Sequence, residues 1–453
     1  MMLTLERAAA ATSARVRGAR RFPASVRVIT DTRALQPGDT FLALRGEHFD
    51  GHAFIGDAVQ KGAAAVVVDD AAAVPEDVPA LVVADTKRAY MDLANAARSL
   101  FAGRVVAITG STGKTTTKHL LAQLLAAHYG TDRVLSPPAN ENNEIGVSKL
   151  LLSSSPDQAV IVVEMGARHQ GEIAELVQIA HPHIGVLTNI GEAHLEIFGS
   201  HEALARTKWG LFSGGAQAVL NANDAESARR APSLASPPLW FGAGTPRQPG
   251  VWITPDERLV VSNSPQTHDV RVDVRLPGRH NRENLAAAVA AALLLGMSIE
   301  ELAEAIPGLT LPAGRYQVTQ LGANLRLIYD AYNANLSGMI ATLDAFACEQ
   351  AERRIAVLSS MAELGSDACA MHERVGAHAA RSGVDILLVG GDYAQSLADG
   401  ALAGGLKEES IVAFSDNHSA AQWLREHAKA GDAVLLKGSR KYKMEEIAAE
   451  LRA

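Results

Sequence analysis

The chain has 453 residues, 47% of them hydrophobic and 20% charged, with a formal net charge of −8. A chain of this length is too long to fold around a single hydrophobic core, which predicts about three domains. The acidic balance argues against a nucleic-acid-binding protein. Two cysteines, Cys348 and Cys369, cannot build a disulfide framework and are expected as unpaired thiols. We find no signal peptide and no apolar stretch that would span a bilayer, so we expect a cytoplasmic protein without membrane insertion.

Three segments follow one another along the chain. The first, residues 1–103, ends where an alanine-rich helical pattern stops near Phe101, and we expect a small α/β domain there. The second, residues 104–312, alternates apolar strands at 104–109, 159–163, 184–188 and 217–220 with helices at 114–128, 170–180 and 200–212. This alternation predicts a parallel sheet with helices on both faces. Residues 250–276 are typical of antiparallel strands, and a long helix should follow from Asn281 to Leu295.

The most specific motif is Ala107-Ile-Thr-Gly-Ser-Thr-Gly-Lys-Thr-Thr-Thr-Lys118, between a predicted strand and a predicted helix. Its glycines allow a tight turn that directs backbone N–H groups at an anion, and its lysine adds a cation. Ile108 stands where the full P-loop pattern has glycine, so this is a shortened variant. An ordinary helix start is the alternative, but the flanking elements favour nucleotide binding. The expected phosphate-binding residues are Gly110, Ser111, Thr112, Gly113, Lys114, Thr115 and Thr116.

Three further residues of the central segment suit phosphate chemistry. Glu164 ends an apolar strand and could hold Mg²⁺ beside a P-loop threonine, although a helix-capping acid is the alternative. His194 follows the next strand and is a candidate ligand of a second metal, whereas a lone histidine is more often simply hydrogen-bonded. Lys208 lies on the following helix, where a solvated surface lysine is the more common case.

Two polar segments could serve a ligand or local structure. Asn140-Glu-Asn-Asn143-Glu-Ile-Gly146 offers amide side chains to a phosphate or substrate, but asparagine and glycine also dominate turns. Asn281 is the expected N-cap of the long helix, with Asn284 one turn further on.

The third segment, residues 313–453, follows a predicted hinge at residues 307–314. It again alternates helices with strands, near 325–330, 354–358, 385–389 and 432–436. This pattern predicts a Rossmann-like doubly wound domain with ligands at the carboxyl ends of its strands. The polar residues at those ends could be loop residues or site residues; they are Asp330, Asn333, Asn335, Lys437 and Ser439.

Taken together, these segments resemble the Mur ligase family, the ATP-dependent amide-forming enzymes of bacterial peptidoglycan synthesis. The resemblance covers nearly the whole chain. The motifs that carry it are Asp31-Thr-Arg33, Asp50-Gly51-His52, Thr109-Gly-Ser-Thr-Gly-Lys-Thr115, Glu164-Met-Gly-Ala167, Asn189-Ile-Gly-Glu-Ala-His-Leu-Glu-Ile-Phe-Gly199, Tyr332-Asn-Ala-Asn335 and Lys437-Gly-Ser-Arg440.

The resemblance implies a ligase that activates a carboxylate as an acyl phosphate. Lys114, Glu164, His194 and Lys208 would be catalytic, the last as a carbamylated lysine. Two Mg²⁺ ions are implied, with Thr115 and Glu164 at the first site and His194 at the second. The P-loop would bind ATP together with Asn281, Asn284, Arg315 and Asp330.

The most similar member group joins D-alanyl-D-alanine to UDP-N-acetylmuramoyl-tripeptide. By this resemblance the first domain binds the UDP-sugar, and the third closes on ATP and binds the amino substrate. We expect a monomer. The substrate-binding residues so implied are Asp31, Thr32, Arg33, Asp50, Gly51, His52, Asn140, Asn143, Tyr332, Asn333, Asn335, Lys437 and Ser439.

The chain departs from the member group's pattern in three places. Ser359-Ser360 stands where the pattern usually has Gly-Asp, and Trp209-Gly210 stands where it usually has Gly-Glu. Tyr329 and Leu336, on either side of the Tyr332 motif, replace an aspartate and a proline. These changes keep open a paralogous ligase that couples a different carboxylate and amine. A non-catalytic nucleotide-binding regulator is the remaining alternative.

Overall fold

A computed structural model describes residues 2–18, 20, 22–46, 49–137, 141–191, 195–263, 266–322 and 324–452. Its strands form three main sheets, one for each stretch of the chain that the sequence separates. The predicted α/β class is thereby confirmed, whereas the exact domain limits stay a prediction. Across these described ranges, no helix has both the length and the apolar character that crossing a bilayer requires.

The first unit contains a five-stranded sheet in the order β2-β7-β6-β5-β4 and a small antiparallel pair, β1 with β3. Its longest helix begins at an aspartate N-cap, where the Asp85 side chain accepts from Arg88 N. Its elements are β1 (Leu3–Thr4), α1 (Leu5–Thr12), β2 (Arg15–Arg17), β3 (Ser25–Val26), β4 (Val28–Ile29), β5 (Thr40–Leu42), α2 (Ile55–Gln60), β6 (Ala65–Val68), β7 (Ala80–Val82) and α3 (Thr86–Leu100).

The central unit is a nine-stranded sheet in the order β16-β15-β14-β13-β12-β11-β8-β10-β9. Strands from β9 to β14 are parallel, and β15 and β16 extend that edge in antiparallel pairing. The elements are β8 (Arg104–Thr109), α4 (Lys114–Tyr129), β9 (Val134–Leu135), α5 (Glu144–Leu152), β10 (Val160–Glu164), α6 (Glu172–Ala180), β11 (Ile184–Leu187), α7 (Leu195–Phe198), α8 (His201–Trp209), β12 (Gln217–Asn221), α9 (Ala225–Arg230), β13 (Leu239–Ala243), β14 (Gly250–Ile253), β15 (Arg258–Asn263), β16 (Gln266–Arg271), α10 (Arg279–Leu294) and α11 (Ile299–Ala305).

The third unit is a six-stranded sheet in the order β17-β18-β22-β19-β20-β21, parallel except for β17. Buried apolar clusters cover both of its faces, as a doubly wound sheet requires. The elements are β17 (Gln317–Leu321), β18 (Leu325–Tyr329), α12 (Leu336–Ala347), β19 (Arg354–Ser359), α13 (Ala368–Arg381), β20 (Ile386–Gly390), α14 (Ala394–Ala403), β21 (Ile411–Ala413), α15 (Asn417–His427), β22 (Ala433–Lys437) and α16 (Glu445–Arg452).

The first and central units share one apolar core. The buried cluster that contains Leu81 of the first sheet also contains Val105 and Ile161 of the central sheet. Arg98 of α3 strengthens the junction because its guanidinium donates to the carbonyls of Ala180 and His181, which end α6. The first unit is therefore fixed against the central sheet.

Candidate active site at the carboxyl ends of the strands

A cavity of about 640 Å³ opens where β8 and β10 of the central sheet face β18 and β22 of the third unit. Its walls are residues 111–115, the loop after β10, Lys208, and a group of third-unit residues that includes Arg315 and Lys437. Parallel strands thus direct their carboxyl ends at one space, which is where ligands bind in open α/β sheets.

The P-loop is held in one conformation by close contacts. Gly110 and Gly113 have φ values of +150° and +80°. A Cβ atom on Gly110 would lie 1.9 Å from Thr188 Oγ1, and one on Gly113 would lie 2.2 Å from Asn284 Oδ1. The Asn189 side chain accepts from Thr112 N at 3.1 Å. The loop therefore needs glycine at both positions.

Lys114 begins α4 and faces the cavity. Its ammonium donates to Gly110 O at 2.8 Å, so the side chain lies along the P-loop. Burial lowers the pKa of Lys114, while the charge of Glu164 opposes that shift and Arg315 adds to it. A bound polyanion would add a counter-charge to this partly buried cation.

Thr115 and Glu164 meet beside that lysine. The Thr115 hydroxyl donates to Glu164 Oε2 at 3.0 Å, and Asn142 Nδ2 donates to Glu164 Oε1 at 2.8 Å. Glu164 is 1% exposed and is the last residue of β10. A hydroxyl and a carboxylate held together next to a phosphate loop are the hard oxygen donors that suit Mg²⁺.

Lys208 is almost fully buried, with 2% of its surface exposed, so the common expectation of a solvated surface lysine is wrong here. It lies near the end of α8 and lines the same cavity. Burial lowers the pKa of Lys208 well below its ordinary value, and the charge of Lys114 lowers it further. This side chain is therefore biased towards the neutral amine, which is the nucleophilic form.

The start of α10 differs from the prediction. The helix begins at Arg279, and its N-cap is Gly278, so Asn281 is not the cap. Asn281 lies inside the first turn, where its Nδ2 donates to Pro277 O and its Oδ1 accepts from Asn284 Nδ2. Both asparagines are buried behind the P-loop. In place of a capping role, Asn281 holds Asn284, whose side chain packs against Gly113 of the P-loop.

The third unit brings Arg315 to the cavity. Its guanidinium stacks over the Tyr332 ring, 4.5 Å from the centroid, and its Nε is buried without a hydrogen-bond partner among the described residues. Asp330 lies beneath, with its Oδ2 accepting from Lys437 Nζ at 3.0 Å. Attraction to Lys437 lowers the pKa of Asp330 even though burial opposes that shift.

The other predicted residues of the third unit are near that pair. Asn333 and Asn335 line the cavity, and the Asn335 side chain also caps α12 by accepting from Gly338 N at 2.8 Å. Asn143 has the same double position: it lines the cavity and caps α5, accepting from Gly146 N at 3.0 Å. Ser439 is buried after β22, with its N–H donating to Ser360 O.

The structure does not bring the predicted first-unit residues to this cavity. Asp31 pairs with Arg33 at 2.7 Å, and hydrogen bonds from that arginine lower the pKa of Asp31 to about 2. Asp50 caps the short turn at residues 51–54 and bonds the His52 ring at 2.7 Å. Thr32 and Gly51 do not line the cavity either. Asn140 and His194 lie outside the described residues.

Two contributors were missed from the sequence. Asn142 holds Glu164, and Asn189 holds the P-loop. Each occurs within a polar motif that the sequence singled out, but nothing local indicates which asparagine of a run points at the site. Only the packing of distant strands decides that orientation.

Comparison with known proteins connects this geometry to a family. Three domain models match consecutive parts of the chain: the Mur ligase family catalytic domain at residues 27–104, the Mur ligase middle domain at 108–292, and the Mur ligase glutamate ligase domain at 314–440. The chain is 38% identical over 439 residues to UDP-N-acetylmuramoyl-tripeptide–D-alanyl-D-alanine ligase of Synechocystis sp., covering 94% of this chain and 92% of the relative.

Solved structures agree with that similarity. The UDP-N-acetylmuramoylalanyl-D-glutamyl-2,6-diaminopimelate–D-alanyl-D-alanyl ligase of Acinetobacter baumannii has a TM-score of 0.83 at 29% identity, over 100% of this chain and 98% of that one. MurF ligase of Thermotoga maritima in complex with ADP has a TM-score of 0.80 at 27% identity, over 94% and 97%. The chain belongs to the Mur ligase family.

Proposed function

We propose that this chain uses ATP to join D-alanyl-D-alanine to UDP-N-acetylmuramoyl-tripeptide, forming an amide bond in peptidoglycan precursor synthesis. The single observation that carries the proposal is the convergence of Lys114, Glu164 and Lys208 on one cavity with Arg315 above them. The substrates are those for which the relatives are named, among them the Synechocystis protein at 38% identity.

The chemistry requires activation because a carboxylate has no good leaving group for attack by an amine. An oxygen of the tripeptide's terminal carboxylate attacks the γ-phosphorus of ATP, and ADP leaves. The free amine of the dipeptide then attacks the acyl carbon of the resulting acyl phosphate, loses a proton, and inorganic phosphate leaves. Phosphoryl transfer depends on positioned cations. Lys114 and Arg315 supply them from opposite walls of the cavity.

The oxygen donors beside the P-loop fit Mg²⁺. Thr115 and Glu164 would hold the ion, with ATP phosphates completing its coordination. Bound Mg²⁺ would neutralise charge that develops on the phosphates. Asn142 keeps the Glu164 carboxylate oriented by donating to its other oxygen. A second ion at His194 belongs to the same proposal on the strength of the family motif alone.

Lys208 is proposed to act as a carbamate. A neutral amine attacks carbon dioxide, whereas an ammonium has no lone pair to do so. Burial and the charge of Lys114 both favour that neutral form. The carbamate would convert Lys208 into an anionic oxygen donor whose negative charge lies near Lys114.

In this proposal, each of the three domains would bind a different ligand. Residues 1–103 would bind the UDP-sugar through Asp31, Thr32, Arg33, Asp50, Gly51 and His52, and residues 104–312 would bind ATP, with Asn281 and Asn284 behind the P-loop. Residues 313–453 would close on ATP with Arg315 and Asp330 and receive the dipeptide near Tyr332, Asn333, Asn335, Lys437 and Ser439. The proposal includes that the enzyme is monomeric and lies in the cytoplasm. The two exposed, unpaired cysteines are consistent with the reducing conditions there.

The test is a product assay with the full chain, ATP and Mg²⁺. A panel pairs UDP-N-acetylmuramoyl-tripeptides with D-alanyl-D-alanine, other dipeptides and single amino acids, and mass spectrometry identifies the amide product. We expect the dipeptide product together with one ADP per bond. A different amide would support the paralogous ligase, and ATP binding without any amide or ADP would support the regulator.

A further inference from the structure

The loop from Gly166 to Gly171 connects β10 to α6, and its residues 166–169 form part of the cavity wall. It is held at both ends. Gly166 N donates to Asn142 O at 2.8 Å, and a Cβ on Gly166 would lie 2.8 Å from the Asn142 side chain. The Glu172 carboxylate accepts from the backbone N–H groups of Arg168 and His169, at 2.7 and 3.0 Å.

This arrangement fixes the backbone of Arg168 and His169 while both side chains stay exposed at the cavity. Within the part of the chain that the structure describes, the Arg168 guanidinium has neither a carboxylate nor a carbonyl partner. An arginine presented on a rigid loop, without an internal counter-ion, is suited to bind a carboxylate from a ligand in bidentate fashion.

Three of the acids on this wall are already engaged in hydrogen bonds or an ion pair. Glu172 is occupied by the two loop N–H groups, and Glu164 is held by Thr115 and Asn142. Glu144 pairs with Lys87 Nζ at 2.6 Å, and Glu175 acts on the same lysine by raising its pKa. The Arg168 guanidinium is therefore a cation on this wall that no carboxylate of the described residues pairs with.

We propose that Arg168 and His169 form a subsite for a non-reacting carboxylate on the third residue of the acid substrate, and so select a diacid such as 2,6-diaminopimelate over lysine. This inference rests on the proposed function. The subsite follows Glu164 by a few residues, so it adjoins the place where the reacting carboxylate must meet ATP. The Acinetobacter relative's name includes 2,6-diaminopimelate as that third residue.

The test compares two UDP-N-acetylmuramoyl-tripeptides that differ only in 2,6-diaminopimelate or lysine at the third position. Calorimetry without ATP measures their binding to wild type, Arg168→Gln, Arg168→Lys and His169→Asn. Arg104→Gln is the control, because Arg104 is exposed at the opposite, amino end of β8. Steady-state kinetics then gives kcat and KM for each coupled peptide.

We expect wild type to bind the diaminopimelate peptide more tightly. Arg168→Gln should weaken that binding about 10- to 100-fold, as loss of a charge-assisted pair does, and Arg168→Lys should weaken it less. Binding of the lysine peptide, kcat, and the KM values for ATP and dipeptide should stay within about twofold. If Arg168→Gln weakened the binding of both peptides equally, or of neither, the proposed subsite would be overturned. Failure of the proposed function is a separate result, namely tight peptide binding without amide product.

Discussion

The Thr115 hydroxyl donates a 3.0 Å hydrogen bond to Glu164 and thereby joins the first turn of α4 to the end of β10. The two residues are distant in sequence, but β8 and β10 are parallel neighbours in the sheet. The carboxyl end of one strand leads to the P-loop, and that of the other presents the acid. This pairing turns a phosphate-binding loop into a site that can also hold a cation and support phosphoryl transfer.

Removing the P-loop cation should stop turnover without unfolding the protein. We expect Lys114→Ala to reduce ADP formation on the order of 10³-fold or more, because a positioned cation is worth several kcal/mol of barrier. Coupled ADP release measures the rate, and circular dichroism checks the fold. Lys407→Ala is the control, since that side chain is 78% exposed in the third unit. ADP release at the wild-type rate from Lys114→Ala would remove the P-loop from the mechanism.

The Lys208 carbamate predicts chemical rescue. Lys208→Ala should lose activity, and short carboxylic acids should restore part of it, because the truncated side chain leaves room for a carboxylate where the carbamate would lie. High bicarbonate should have no effect on this variant. The measurement is amide product against added acid. A variant that no carboxylate rescues, although it is folded and binds ATP, would argue for a plain lysine role.

Gly51 should be intolerant of any side chain. A Cβ there would lie 2.7 to 2.9 Å from backbone atoms of Ala43 and Leu44, which cannot move aside. We expect Gly51→Ala to lower the free energy of unfolding by about 1–3 kcal/mol. Gly56→Ala is the matched control, because nothing lies within 4 Å of its Cβ position in α2, and alanine favours a helix. Urea denaturation compares them; an unchanged midpoint for Gly51→Ala would contradict the packing argument.

The ion pairs of Glu226 should make the free energy of unfolding depend on pH in the acid range. Hydrogen bonds from Arg229 and Arg230 lower its pKa from 4.5 to about 2. A carboxylate whose pKa is lower in the folded than in the unfolded protein stabilises the fold. This contribution is complete when the pH is above the unfolded-state pKa, and it is lost as the pH falls towards 2. Glu226→Gln should therefore cost about 1–3 kcal/mol at pH 7, with the difference from wild type shrinking between pH 4.5 and 2. Urea titrations at several pH values measure this.

A control substitution isolates that effect. Glu304→Gln alters an exposed carboxylate on α11, and it should leave the free energy of unfolding within about 0.5 kcal/mol of wild type at every pH. A constant gap between Glu226→Gln and wild type down to pH 2 would show that the ion pair is not the cause.

Much of the secondary structure was predictable because apolar periodicity is local. The strand at 104–109 was predicted with its observed limits, and the helix at 114–128 is one residue longer in the structure. The strands of the first unit were not predicted, nor were β9 and β13 of the central unit and β17 and β21 of the third. In β13, Gly242 interrupts the apolar run, and the space that its missing Cβ leaves is filled by the Trp252 ring of the neighbouring strand. That partner is invisible in the local sequence.

The sequence by itself determined the element types, the phosphate loop and the family, because these depend on residue order within short segments. Tertiary structure alone decided that Lys208 is buried, that Asn142 and not its neighbour holds Glu164, and that Arg168 lies at the cavity without an acid partner among the described residues. Each of these depends on strands that are distant in the chain and adjacent in the sheet. Burial and orientation are set by those neighbours, and no local pattern encodes them.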